Sequence, residues 1–170
     1  MEHLVFTVIA QDQPGLVERL AGCVAGHGGN WLESRMVRMA DQFAGIVEVS
    51  VEAAQRSALV DALESLDGIR VLVAPRGDAP MGDPKSVRLE LVGNDRAGIV
   101  RDLTRLLAGQ GVNVESLSTD VVEAPMSGEP LFQCNALLAV PAGLALSDLQ
   151  QAVETLADEL MVELTLSEDL

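Results

Sequence analysis

Two short stretches, QDQPGLV at residues 11–17 and NDRAGIV at residues 94–100, decide how this sequence folds. Both follow the pattern Asp-x-x-Gly-[Leu/Ile]-Val, and the second begins 83 positions after the first. Each stands between a run of alternating apolar residues and a run in which apolar residues recur at helical spacing. The same joint therefore occurs twice in the chain, which indicates an internal repeat.

The repeat extends beyond the joint when each residue n is compared with residue n + 83. The identical pairs include Asp12 and Asp95, Gly15 and Gly98, Val17 and Val100, Leu20 and Leu103, Gly28 and Gly111, and Asn30 and Asn113. So many identities in one ungapped stretch indicate two copies of a single folding unit.

Each copy predicts the element order β-α-β-β-α-β. In the first copy, HLVFTVIA at residues 3–10 alternates as a strand does, and Leu16, Leu20 and Val24 follow at helical spacing. The glycines of GHGGN at residues 26–30 end that helix, since glycine adopts the left-handed conformation at little cost. Two further strands, a second helix and a closing strand complete the unit, and the second copy repeats the series.

This order predicts an α+β fold of the ferredoxin-like kind, in which an antiparallel four-stranded sheet holds two helices on one face. We expect a first domain at residues 1–75, a linker rich in proline, glycine and charge at residues 76–85, and a second domain at residues 86–170. Each unit is small for independent stability, so its bare sheet face and edges invite pairing with the other unit.

The composition excludes several classes of function. The formal net charge is −15, so the chain lacks the basic surface of a nucleic-acid-binding protein and is repelled by anionic membranes. No window approaches the run of about 18 apolar residues that spans a membrane, and the N-terminus lacks the basic region of a signal peptide. Cys23 and Cys134 lie in apolar patterns, which predicts buried, reduced thiols in a cytoplasmic protein.

The residues do not predict catalysis, a metal site or a cofactor. His3 and His27 are the only histidines, and Cys23 and His27 lack a third residue to orient them. The two cysteines match no metal-binding spacing, and no phosphate-binding Gly-x-x-x-x-Gly-Lys-[Ser/Thr] loop occurs. We therefore expect a protein that is not an enzyme and uses no metal or cofactor.

The repeated joint has two interpretations from its residues alone. Asp12 and Asp95 precede a helix, where a carboxylate can cap free N–H groups, and Pro14 suits a first helical turn. Alternatively, the helix N-terminus behind Gly15 or Gly98 binds the carboxylate of a ligand while the aspartate holds an ammonium group. A free amino acid presents both groups, and the residues leave the choice open.

The second strand of the first copy is one of the few basic places on an acidic chain. Arg35 and Arg38 lie there beside Met36 and Met39. The two arginines either pair with carboxylates on neighbouring strands or belong to an edge that docks another protein.

A βαββαβ unit with Asp-x-Pro-Gly-[Leu/Ile]-Val after its first strand and Gly-x-Asn at its second resembles an ACT domain. Two such units, with no catalytic or DNA-binding part attached, resemble tandem-ACT regulators such as the glycine cleavage system transcriptional repressor. The resemblance implies a non-catalytic regulatory protein that senses a small amino acid, glycine being one candidate, and modulates a transcription regulator by protein contact. The alternative is a regulatory or oligomerisation module without a ligand, acting in trans on an amino-acid metabolic enzyme; a homodimer is compatible with either.

The resemblance also implies where a ligand binds, since amino-acid-binding ACT domains use the loop after the first strand and an asparagine that opens the second. The corresponding positions are Asp12, Pro14, Gly15, Leu16 and Asn30 in the first copy, and Asp95, Ala97, Gly98, Ile99 and Asn113 in the second. Some such domains have a histidine two residues before the loop's polar residue, where this chain has Ala10 and Gly93. Aspartate also replaces asparagine in both loops, and Ala97 replaces proline.

Topology separates the two parts of each copy's motif. A right-handed β-α-β crossover makes the first two strands parallel, so Asp12 and Asn30 lie at opposite ends of one sheet, about 20–25 Å apart for typical strands. A twofold pairing of the copies would bring Asp12 to Asn113 and Asp95 to Asn30. We therefore expect two composite sites, each built from both copies.

Overall fold

The computed structural model describes residues 1–79 and 82–169, so Pro80 and Met81 of the expected linker, and Leu170, lie outside the described residues. The chain divides into two compact units, Met1–Ala79 and Pro80–Leu170. Both units have the predicted order of strands and helices, and we describe each unit by itself.

The first unit is a four-stranded antiparallel sheet with two helices. Its elements are β1 (Glu2–Gln11), α1 (Leu16–Gly26), β2 (Asn30–Met39), β3 (Gln42–Val51), α2 (Ala53–Glu64) and β4 (Ile69–Pro75). The strands lie in the order β2-β3-β1-β4. Because β1 pairs with β3 on one side and with β4 on the other, it is a central strand.

The second unit has the same architecture. Its elements are β5 (Lys85–Asn94), α3 (Ile99–Gly109), β6 (Asn113–Glu123), β7 (Pro130–Val140), α4 (Leu146–Leu160) and β8 (Val162–Glu168), and the strand order is β6-β7-β5-β8. The predicted α+β class and the ferredoxin-like βαββαβ arrangement are confirmed in both copies.

Each core lies between one face of the sheet and the two helices, and it is mostly aliphatic. Leu4, Phe6 and Val8 alternate inward from β1 and are almost fully buried, as Val87, Leu89 and Leu91 are on β5. Leu16, Leu20 and Val24 cover the first set from α1, and Ile99, Leu103 and Leu107 cover the second from α3. Burial of these side chains, worth about 1.5–3 kcal/mol each, holds each helix on its sheet.

Glycine ends the first helix of each unit, as predicted. Gly28 has φ 70° and Gly111 has φ 73°, in the left-handed region that side chains disfavour. The N–H of Gly29 returns to the carbonyl of Val24 over 2.9 Å, and the N–H of Val112 returns to that of Leu107 over 2.9 Å. Each turn sends the chain directly into the strand that begins at Asn30 or Asn113.

The hairpin between β2 and β3 is tighter than its counterpart in the second unit. Only Ala40 and Asp41 separate the two strands, and both have positive φ, 49° and 62°. A two-residue hairpin turn requires such angles because its twist must match that of the strands. Aspartate tolerates this conformation better than alanine does, so the strain falls on Ala40.

Replacing Ala40 by glycine should therefore stabilise the first unit, by up to about 1 kcal/mol in the free energy of unfolding, because glycine has no β-carbon to strain. Urea denaturation followed by circular dichroism measures the change. Ala44→Gly, on β3 in the same hairpin and without positive φ, is the matched control and should cost about 0.5–1 kcal/mol. Equal effects from the two substitutions would show that Ala40 is not strained.

Candidate functional site

The loop between the first strand and first helix of each unit places a glycine at the N-cap of that helix. Gly15 precedes α1 with φ 90° and ψ 2°, and Gly98 precedes α3 with φ 92° and ψ 0°. These angles belong to the left-handed region, which explains why glycine occupies both positions. The interpretation of Asp12 and Asp95 as helix caps is wrong, because neither helix has a side-chain cap and each aspartate lies three residues before the N-cap.

The helix N-termini behind these glycines keep backbone N–H groups available. The carbonyls of Gly15 and Gly98 accept the first intrahelical bonds, from the N–H groups of Arg19 and Asp102. The N–H groups before those residues have no acceptor within the helix. Pro14 lies before the N-cap rather than in the first helical turn. Both loops therefore present a partial positive charge that suits a carboxylate.

The aspartate of the first loop is held by an arginine from β2. Arg38 Nε donates to Asp12 Oδ2 over 2.6 Å, and Arg38 Nη2 donates to Asp41 Oδ1 over 2.6 Å. The N–H of Asp12 also bonds the Asp41 carbonyl at 2.8 Å. Both arginines therefore pair with carboxylates, but not with the neighbouring strands that were predicted: Arg38 contacts a loop and a hairpin turn, and Arg35 contacts Glu33 on its own strand at 3.1 Å. The Arg38 contacts join the loop to the β2–β3 hairpin.

The second loop has no equivalent of this cluster. Val121 occupies the position of Arg38 in the second unit. Arg38 lies opposite Phe43 of β3, and Val121 lies opposite Phe132, the equivalent residue of β7. Pro130 stands in for Asp41, since its carbonyl accepts the Asp95 N–H at 3.0 Å. Among the described residues, the Asp95 carboxylate makes no ion pair. Asp95 is therefore available to a cationic group in a way that Asp12 is not.

The first helical turns differ in charge as well. Arg101 lies over Gly98: a β-carbon built on that glycine would be 3.1 Å from Arg101 Nη2. Arg101 Nε also contacts the Asp102 carboxylate at 3.1 Å. The first unit has the same two charges in the opposite order, with Glu18 at the position of Arg101 and Arg19 at that of Asp102. A guanidinium therefore stands over the glycine of the second loop, where it attracts a carboxylate. A β-carbon built on Gly15 would meet no atom within 4 Å, and Arg19 donates instead to the carbonyl of Asp67 over 2.8 Å.

The asparagines lie far from the loops of their own units. Asn30 on β2 and His3 on β1 both lie opposite Ser50 of β3, so they are at the same end of the sheet. Asp12 follows the other end of β1. Nine residues of extended strand separate those rows, which is about 30 Å. Asn113 lies in the same way on the row of Ser86, opposite the end that leads to Asp95. Within each unit the structure therefore separates loop and asparagine, and by more than the predicted 20–25 Å because the strands are long.

Cysteine and histidine do not form a catalytic pair here. Burial raises the pKa of the Cys23 and Cys134 thiols, so both remain protonated at neutral pH. Cys134 is buried, while Cys23 is only half-buried, and neither is in a disulfide. His27 Nδ1 lies 2.8 Å from the backbone carbonyl of Cys23. A protonated thiol beside an imidazole occupied by a carbonyl is a poor nucleophile.

The described residues contain neither a metal-binding cluster nor a membrane-spanning helix. Across residues 1–79 and 82–169, no group of three or more histidine, cysteine, aspartate or glutamate side chains is arranged to hold a metal ion. Within the same residues, no helix has both the length and the apolarity that crossing a membrane requires.

Comparison with known proteins agrees with this architecture. The family model of the ACT domain matches residues 2–67, and none of the curated proteins matches the sequence. The crystal structure of an unknown protein from Galdieria sulphuraria is 29% identical, with a TM-score of 0.89 and 99% of both chains covered. A protein provisionally identified as a glycine cleavage system transcriptional repressor is 20% identical, with a TM-score of 0.70 over 99% of this chain and 98% of its own. At that identity the second likeness concerns the fold.

Alanine at Gly15 should destabilise the first unit by about 1–2 kcal/mol, because the left-handed conformation strains any β-carbon. Gly22→Ala is the matched control: Gly22 lies inside α1, where an added β-carbon meets no atom within 4 Å. That change should stabilise the unit by about 0.5–1 kcal/mol. Denaturant titrations of both variants measure the two effects, and a neutral Gly15→Ala would contradict the assigned role of the N-cap glycine.

Proposed function

We propose that this chain is a regulatory protein that binds a small amino acid, since residues 2–67 match the ACT-domain model and the second unit repeats the fold of the first. Ligand binding then changes the direct contact between this protein and another protein. The loop behind Gly98 supports the proposal best, because it offers each half of a zwitterion a complementary group.

An amino acid has an ammonium and a carboxylate on adjacent atoms. In the second loop, the Asp95 carboxylate, which makes no ion pair with the described residues, suits the ammonium group. The N-terminus of α3 and the guanidinium of Arg101 above Gly98 suit the carboxylate. Arg96, beside Asp95 in sequence, lies with Asp102 and Arg105 along a groove next to α3. The ligand proposed for this loop is therefore a free α-amino acid.

The two loops should not bind with equal affinity. Arg38 already satisfies the carboxylate of Asp12, and no side chain lies over Gly15 as Arg101 lies over Gly98. An ammonium group at the first loop must compete with a guanidinium at 2.6 Å. We therefore assign the stronger site to the loop of Asp95 and the weaker one to the loop of Asp12.

Each site also needs a polar group for the rest of the ligand, and by resemblance this is an asparagine. Loop and asparagine of one unit are about 30 Å apart, so one unit cannot supply both to a single ligand. We propose that Asp95 shares a ligand with Asn30, and Asp12 with Asn113. The remaining backbone positions are Pro14, Gly15 and Leu16 in one loop and Ala97, Gly98 and Ile99 in the other.

The output of binding is contact with another protein rather than with nucleic acid. A net charge of −15 opposes the approach of a phosphate backbone. We infer a transcription regulator as the partner and the cytoplasm as the compartment, and we assign the chain no catalysis of its own. An amino-acid metabolic enzyme regulated in trans is the alternative partner, and it requires no ligand at the loops.

Calorimetric titration against the twenty amino acids tests the proposal. Glycine and serine come first, because one structural neighbour is provisionally identified as a glycine cleavage repressor. We expect one member of the set to bind in two unequal steps. The absence of saturable heat with all twenty would reject ligand sensing and favour the alternative without a ligand.

Reciprocal substitutions at one ladder position test the assignment of the two loops. Arg38→Val gives the first unit the residue of the second and should strengthen the weaker step about 2- to 5-fold, the worth of an exposed ion pair. Val121→Arg should weaken the stronger step by a similar factor. Asp95→Ala should remove the stronger step, and Asp12→Ala the weaker. Unchanged binding in both arginine variants would contradict the inequality while leaving ligand binding itself intact.

Asparagine variants test whether the sites are composite. Asn30→Ala should weaken the same step as Asp95→Ala, and Asn113→Ala the same step as Asp12→Ala. If Asn30→Ala instead weakened the step that Asp12→Ala removes, and Asn113→Ala the step that Asp95→Ala removes, the proposed pairing would be wrong.

A further inference from the structure

The outer face of the first sheet, which points away from both helices, is apolar at its centre. Ile9, Val37, Ile46 and Leu72 lie on neighbouring strands and form this patch. Their exposures are 44%, 56%, 55% and 72%. Single exposed aliphatic residues are common on protein surfaces, but a contiguous patch of four large ones is typical of an interaction surface.

Three of the four equivalent positions in the second sheet are polar, and the fourth, that of Ile9, is Val92, which is 37% exposed. Ile46 lies opposite Thr7 on β1, and the matching row of the second unit has Asn135 opposite Glu90. Thr165 occupies the place of Leu72, and Asp120 the place of Val37. The two units share one fold, so the fold does not require an apolar outer face. Another cause must account for the larger apolar patch on this face of the first unit.

Charge separates this face from the acidic remainder of the chain. Glu33 and Arg35 pair at 3.1 Å near one margin, and Arg76 pairs with Glu48 at 3.1 Å near another. Arg70 adds a further cation beside Ile9. The face is therefore close to neutral, while the whole chain has a net charge of −15. A surface of this kind matches another apolar, nearly neutral face better than a strongly charged partner.

The size of the face suits a dimer. Four strands spaced about 4.8 Å apart and about 30 Å long present roughly 600 Å² in projection. The accessible area exceeds the projection because side chains corrugate the face, so it approaches the ~800 Å² that each partner contributes to a stable interface. A shallow cavity of about 430 Å³, lined by Val37, Ala44 and Ile46, offers room for a partner's side chains.

We propose that this outer face is a homodimer interface, in which the first sheet packs face to face on that of a second copy of the chain. A second copy brings the same apolar and charge-balanced patch, as a twofold interface requires. Two sheets packed in this way interdigitate their side chains about 10 Å apart. The proposal does not depend on the ligand sites.

Sedimentation equilibrium of the full chain tests the interface. We expect wild-type protein to dimerise in the micromolar range or tighter. The double variant Ile46→Asn, Leu72→Thr places the second unit's own residues on the first, so the fold should accept them. Its dimer dissociation constant should rise roughly 10- to 100-fold through loss of apolar contact. Circular dichroism checks that the variant is folded, and a single Val37→Asp change gives an independent variant.

A matched control and a salt series complete the test. Asn135→Ala together with Thr165→Ala changes the same positions of the second sheet and should leave the dimer unchanged. Added salt should strengthen the dimer, because it screens repulsion between two acidic chains. A monomeric wild type at 100 μM or above, a dimer that survives both first-sheet variants, or one disrupted only by the control would overturn the proposal.

Discussion

The pairing of the central strands constrains everything else in these units. Because β3 lies between β1 and β2 and is antiparallel to both, β1 and β2 run in the same direction. The helix between them must therefore carry the chain back along the full length of the sheet. The joint that holds Asp12 and the strand start at Asn30 consequently lie at opposite ends, and the second unit obeys the same rule. A ligand site that uses both kinds of residue cannot be formed within one unit.

The fold was predictable because its signals are local and occur twice. Alternating residues such as Leu4, Phe6 and Val8 define strands, helical spacing defines the helices, and Gly28 ends a helix. The N-cap was missed because Asp12 looks like a cap in sequence. The four residues from Asp12 to Gly15 are needed to turn the chain from strand to helix, and only the backbone angles reveal that glycine takes the cap position.

The site was harder to predict, because its decisive contacts join residues whose meeting depends on register. Arg38 reaches Asp12 across 26 positions of sequence, and only the strand pairing shows that Val121 replaces it in the second unit. One signal was accessible: Glu18 and Arg19 in the first copy correspond to Arg101 and Asp102 in the second, so the order of the charges is reversed. Comparing differences between the copies, as well as identities, would have indicated that the two loops are unequal.

The differences between the copies also suggest how the proposed functions would be linked. Val37 and Arg38 are neighbours on β2 and point to opposite faces of the sheet, one into the outer apolar patch and the other toward the loop of Asp12. A ligand that displaces Arg38 from Asp12 and a second chain that packs on Val37 would act on the same short hairpin. Such linkage is reciprocal and acts only through differences in affinity between states of the hairpin. The second unit, with Val121 and Asp120 at these positions, lacks this connection, so any coupling between ligand and assembly must pass through the first.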